Sequence, residues 1–371
     1  MGKSKKLWKA RILTVLVSPI VFFLLCELIY RTTAFSPLIG RHPCLPTWNH
    51  PQYLFMPDEK AGYSLRPFFQ GTQINPFGNF RTPVTVNSLG FRDRGLQGSI
   101  CKNCSRIMLL GDSYVFGEGV DWEHTYSARL ENILRDEWEL KVQVINGGVP
   151  GYSLTQTFER LKKYRQIVKP DLVVVGWDPF TFTREEEPMT YVNGYLVFHQ
   201  HQKQIRVVGA NLFRTGFPPE SRLGKADVWM QSHSLVYFFV KHRLRKTLYH
   251  YVTKKIVADR DIIKMQPIHL KKPMDIILRI NDYCQEDGSR LILVLLVSEP
   301  SIAEVVERLC REKNITMISL AERSPGKEAP NKTLLFKHDA HFNEKGHAYM
   351  AEKLAPAIIY KLDQGAGSGL D

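Results

Sequence analysis

The feature that most constrains this chain is an alternation of short, continuous apolar runs with longer stretches of helical period. Runs such as Ile107–Leu110 and Leu172–Val175 contain no polar residue at every second position. A half-exposed strand would need that polar alternation, whereas a strand buried on both faces of a parallel sheet does not. The pattern predicts strands over 106–112, 141–146, 171–176, 291–297 and 315–320. It predicts helices around 123–137, 153–168, 273–286, 300–312 and 344–362, with Pro170-Asp171 breaking the second of them. Strands that alternate with helices form βαβ units, so the expected fold is α/β: a three-layer α/β/α domain with a parallel sheet over 105–364, carrying an insertion at 182–270. At 371 residues the chain is long enough to bury such a core.

Ahead of that pattern, Ile12 to Tyr30 is almost entirely apolar and follows Lys3, Lys5, Lys6, Lys9 and Arg11. This reads as one N-terminal transmembrane helix (12–30) with a cytoplasmic basic tail, Glu27 lying near its outer end and the rest of the chain extracytoplasmic. A cleaved signal peptide is the competing reading, but no Ala-x-Ala site follows. The expected divisions are a tail and anchor (1–31), an extracytoplasmic lead-in of loops and short strands (32–104), the main domain (105–364) and a flexible tail (365–371). A net charge of +13 permits a polyanionic partner, yet the cations are spread and form no nucleic-acid motif, so none is expected. The local cluster Lys241–Lys246, behind the apolar run 235–240, could face anionic lipid or an acidic glycan, and a solvated helix face is the preferred reading. Among the six cysteines, Cys101-Lys102-Asn103-Cys104 has no ligating histidine nearby and reads as a local disulfide rather than a metal site. Cys284 and Cys310 pair or simply pack.

The chemistry gathers at three places. Leu110-Gly111-Asp112-Ser113 ends the first core strand in a small-residue turn that exposes one serine. A serine is a nucleophile only beside a base, and the base needs a group that fixes its tautomer. His338-Asp339-Ala340-His341 supplies both just before the last helix, whose N-cap is expected at Asn343. His341 is the preferred base and Asp339 its orienting acid. His338 is held in reserve, and His347 is a capping or packing residue. The second strand runs into Ile145-Asn146-Gly147-Gly148-Val149-Pro150-Gly151, a turn able to present backbone N–H groups. Gly151 is the natural oxyanion donor there, beside the N–H of Ser113.

Gly111-Asp112-Ser113, the Asn146–Gly151 turn and Asp339-x-His341 followed by Gly346-His347, in this order, resemble the SGNH (GDSL-type) hydrolase superfamily. Asn87–Asp93 resembles a lead-in of its exported bacterial members. The resemblance implies a flavodoxin-like fold, a Ser113–His341–Asp339 triad, ester hydrolysis or O-acyl transfer, and no cofactor or metal. One block departs from the pattern. Where the family carries Gly-x-Asn-Asp, whose Asn donates to the oxyanion, this chain has Gly176-Trp177-Asp178-Pro179. An ionised Asp178 cannot donate, so the hole uses two backbone donors, or Asn146 or another group substitutes, or activity is weak. The Asp-x-His spacing resembles acetyltransferase-like members that act on exported polysaccharides. The expected function is a membrane-anchored serine esterase or O-acyltransferase acting on acyl groups of a small molecule, glycan or lipid. The alternative is a catalytically weak or inactive SGNH-fold protein that binds or helps assemble an exported polysaccharide. Hydrogen-bonding distance between Ser113 and His341 separates the two.

Overall fold

A computed structural model describes residues 17–29, 54–74, 80–185, 188–192, 195–198, 267–296, 300–320, 332–336 and 341–366, with single residues between 222 and 240. Two compact units partition the chain, one of residues 46–204 and 261–371, the other of residues 1–45 and 205–260.

The larger unit opens with antiparallel hairpins, β1 (Phe55–Asp58) with β2 (Gly62–Leu65) and β3 (Gln70–Ile74) with β4 (Arg81–Thr85). Its centre is a parallel sheet of β5 (Ser105–Leu110), β6 (Val142–Asn146), β7 (Leu172–Trp177), β10 (Arg290–Leu295) and β11 (Thr316–Ser319), in the order β11-β10-β7-β5-β6. A further hairpin, β8 (Met189–Val192) with β9 (Tyr195–Phe198), follows β7. The apolar runs form strands because successive residues serve opposite faces. Met108, Leu110, Val173, Val175, Leu293 and Leu295 pack one way, against α3 (Leu154–Val168), α4 (Lys271–Gln285) and α5 (Pro300–Glu312). Ile107, Leu109, Leu172, Val174, Ile292 and Val294 pack the other way, against α2 (Tyr126–Asn132) and α6 (Glu344–Ala366). The layers are those expected from the alternation, and α3 starts where its sequence says it should. Ser153 caps it and Gln156 returns the bond, a complete capping box.

Strand order fixes where a ligand can sit. From β5 the chain moves to β6 on one side and then to β7 on the other, so the connections diverge at the carboxyl end of β5, the place where ligands bind in open α/β sheets. Ser113 follows β5 after Gly111 and Asp112.

The expected Cys101–Cys104 disulfide is formed, and Cys284 and Cys310 are free and buried rather than paired. Burial pushes both thiols up to about 11, which keeps them inert.

In the smaller unit, residues 17–29 form a helix whose Val17, Ile20, Val21, Phe22, Leu24, Leu25, Leu28 and Ile29 are exposed. Among the described residues no helix is long and apolar enough to cross a membrane; residues 12–16 and Tyr30 of the expected span lie outside them. Glu27 accepts hydrogen bonds from Ser234 Oγ (2.8 Å) and Val236 N (3.0 Å). The basic cluster 241–246 and Cys44 also lie outside the described residues.

Candidate active site

Ser113 is the first residue of α1 (Ser113–Phe116), and Asp112 caps that turn by accepting from Tyr114 N at 3.0 Å. Gly117 ends it at φ 83°, a left-handed value that glycine adopts without strain. The turn packs tightly. A Cβ at Gly148 would overlap the backbone of Val115 and Phe116, and one at Gly111 would overlap the Gly176 carbonyl.

His341 arrives from the far end of the chain. Phe336 N donates to His341 O (3.1 Å), and Leu335 bridges to Phe342 just before α6. Asn343 caps that helix as expected. Its Oδ1 accepts from Lys345 N and Gly346 N, and its Nδ2 donates to the Thr333 and Leu335 carbonyls. With its backbone held at His341 O and the ring against Tyr114 (centroids 5.3 Å), His341 Nε2 lies 2.7 Å from Ser113 Oγ. That is hydrogen-bonding distance across 228 residues of sequence. Asp339 and His338 lie outside the described residues.

Asn146 is buried with its amide committed to the nucleophile turn. Nδ2 donates to Val115 O (3.0 Å) and Phe116 O (3.3 Å) and contacts Ser127 Oγ (3.0 Å), while Oδ1 accepts from Gly148 N. Gly151 adopts φ 82° in the turn that follows. Buried Arg160 steadies this turn by donating to Gly147 O at 2.7 Å while also reaching Gly90 O and Ser64 Oγ. Tyr63 OH donates to Pro150 O, and Tyr152 OH to Tyr63 O.

The departing block after β7 acts as a clamp. Asp178-Pro179 leads into a 3₁₀ segment, Pro179–Glu185, closed at its start by Thr181 bonding Asp178 O. Its end returns Arg184 to 3.3 Å from Asp112 Oδ2, beside the nucleophile, and places the Glu185 carboxylate on Leu154 N, Thr155 N and Thr155 Oγ1 at the start of α3. A carboxylate on the orphan N–H groups of a helix start is favourable.

Arg92 and Glu118 carry no local motif of their own, and both are buried beside the nucleophile turn. Arg92 lies over the Phe116 ring and donates to the carbonyls of Phe116 (2.8 Å), Gly117 and Val120 (2.5 Å). Burial lowers its pKa from the ordinary guanidinium range to about 10, opposed by the charges of Asp121, Glu118 and Glu123, so it stays cationic at neutral pH. Glu118 Oε2 lies 3.6 Å from His341 Nε2. Asn87 holds this lead-in turn by accepting from Leu89 N and Phe91 N and donating to Asp93. The signal available beforehand was the Asn87–Asp93 resemblance, which named the segment and not its partner.

His347 packs, as expected. It is buried, stacks on Tyr126 and accepts from Tyr126 N through Nδ1 (3.2 Å). Burial, and then the charge of Arg92, lowers its pKa from 6.5 to about 3. Between those values the unfolded chain binds a proton that the folded protein refuses. Stability is therefore fully present above pH 6.5 and falls as the pH drops toward 3, by up to about 1.4 kcal/mol per pH unit. Urea unfolding at pH 7.5 and 5 should show the wild type losing about 2 kcal/mol from this source. A His347→Gln protein with the same slope would remove His347 from the account.

No family model and no curated protein sequence matches the chain. Comparison with solved structures finds TesA, at 13% identity and a TM-score of 0.38, covering 69% of this chain and 99% of that one. It also finds the psychrotrophic esterase EstA from Pseudoalteromonas sp., at 13% identity, a TM-score of 0.39 and coverage of 70% and 99%. A lipase/acylhydrolase from Enterococcus faecalis stands at 15% identity, a TM-score of 0.37 and coverage of 68% and 95%. The chemistry of this chain is read from its own side chains.

Proposed function

We propose that this chain is a serine ester hydrolase of the SGNH type. The observation that carries the reading is the 2.7 Å contact between Ser113 Oγ and His341 Nε2 at the switch point of a parallel sheet. In this mechanism Ser113 Oγ attacks the ester carbonyl and gives its proton to His341 Nε2. The carbonyl π electrons move onto oxygen, and backbone N–H groups of Ser113 and Gly151 stabilise the charge. Collapse expels the alcohol, protonated by His341, and leaves an acyl-serine that water or an acceptor hydroxyl cleaves by the same steps in reverse. Asp339, two residues before His341, is the acid assigned to the other ring nitrogen. Asn146 is left out of the donor set because its amide protons are already engaged, and Asp178 because a carboxylate opposes an oxyanion. Transfer to a glycan or lipid hydroxyl differs from hydrolysis only in the acceptor. The test is fluorophosphonate labelling together with p-nitrophenyl acetate turnover. Both should vanish in Ser113→Ala, and their survival would refute the assignment.

The membrane reading belongs to the same proposal. Helix 17–29 exposes apolar residues and follows a run of lysines, as the described part of an anchor would. Full-length protein should remain in the membrane fraction after carbonate extraction; release into the supernatant would rule out an integral anchor.

A further inference from the structure

We propose that Glu118 is a second carboxylate acting on His341, a positioning residue that stabilises the imidazolium during acyl transfer and sets the pH at which the site becomes active. The inference rests on the serine-hydrolase reading above. Its basis is geometric. Glu118 Oε2 stands 3.6 Å from His341 Nε2, the nitrogen that also faces Ser113 Oγ, and the Glu118 side chain is only 5% exposed. Its backbone is held on both sides. Gly117 N and Glu118 N both donate to Ser113 O (3.0 and 3.1 Å), and Gly119 N donates to Gln73 Oε1 at 3.3 Å. Arg92 ties the flanking carbonyls of Phe116, Gly117 and Val120. The backbone under Glu118 is thereby fixed, and its buried side chain sits beside the place where charge develops.

In the resting site Nε2 accepts from the serine hydroxyl. Once the proton moves, Nε2–H belongs to a cation, and a carboxylate this close favours that charged form. After acylation the serine oxygen is esterified, and Glu118 still faces the Nε2 that must take a proton from the incoming water or alcohol. The proton passes from oxygen to Nε2 and on to the leaving alcohol; Glu118 takes none and contributes only its charge. The other groups around this pair do not duplicate the effect. Glu118 shares the field of Arg92 with Asp121 and Glu123. His341 faces Tyr114 on α1 and senses the buried His347, while Asp339 precedes it by two residues. Between pH 5 and 9 His347 stays neutral and Arg92 charged, given pKa values of about 3 and about 10. Removing the Glu118 charge is therefore what should move the profile.

The experiment is the pH dependence of kcat/KM for p-nitrophenyl acetate in wild type, E118Q and E118D, with fluorophosphonate labelling and thermal melts alongside. E118Q should melt like the wild type and lose about tenfold or more at the plateau, and its acidic limb should move down by about one pH unit or more, the size of shift that a nearby opposite charge gives. E118D, with its charge one methylene further away, should fall between. A loss of rate with the limb unmoved is what a purely structural role would give, and it would overturn the proposal. Should E118Q fail to fold, NMR titration of His341 in Ser113→Ala and in Ser113→Ala/E118D decides, since equal midpoints overturn it. Absence of Ser113-dependent labelling in the wild type would instead sink the hydrolase reading itself.

Discussion

His341→Ala should lower kcat for a p-nitrophenyl ester by about 10⁴- to 10⁶-fold, the loss expected when one member of a serine–histidine unit is removed. The argument is the geometry of one hydrogen bond. Ser113 Oγ has His341 Nε2 at 2.7 Å, whereas His347 is buried with Nδ1 already accepting from Tyr126 N. KM should change little, since the imidazole acts on the proton rather than on the ground-state ester. The Ser113→Ala/His341→Ala protein should be no slower than either single variant, because residues that act as one unit are not additive. Single-turnover kinetics of the four proteins checks this. A double variant slower by the product of the two effects would show that the residues work independently and would break the triad reading.

Arg92→Met should be the most destabilising single change near the site, costing about 3–5 kcal/mol and lowering the melting temperature by about 10 °C. Methionine fills much of the same space but leaves the buried carbonyls of Phe116, Gly117 and Val120 without this donor, and it removes a cation from beside Glu118. Those carbonyls end the turn that begins at Ser113, so labelling of the serine well below the melt should also slow by about tenfold or more. Arg92→Lys should not rescue either effect, because one ammonium cannot span three carbonyls that a planar fork reaches together. The two measurements are a melt followed by circular dichroism and a labelling time course at low temperature. A wild-type melt in Arg92→Met would mean that the lead-in arginine supports nothing. Comparison with E118Q separates the two residues: the arginine should act on stability and rate together, the glutamate on rate and pH.

The departing block after β7 shows how far a motif can be read. Its missing Asn was visible in the chain, and so was the chemical objection to Asp178. That the segment turns back to set Arg184 on Asp112 and Glu185 on the start of α3 was not, because those contacts join residues 72 and 30 or so positions apart. Asn146 was weighed as a substitute donor from its type alone, and only the fold engages its amide with Val115 O, Phe116 O and Ser127 Oγ.

By itself the sequence determined the layers, the serine at the end of β5, the caps at Ser153 and Asn343 and the local Cys101–Cys104 bridge. These follow from hydrophobic period and from contacts a few residues apart, which a linear chain records directly. Tertiary structure alone decided that His341 comes within hydrogen-bonding distance of Ser113, that Arg92 plugs the turn after the nucleophile, and that Glu118 stands beside the base. Each of these depends on buried polar groups finding partners across long loops. The residues at the two ends of such a contact leave no periodic trace in either segment, and only folding brings them within reach of one another.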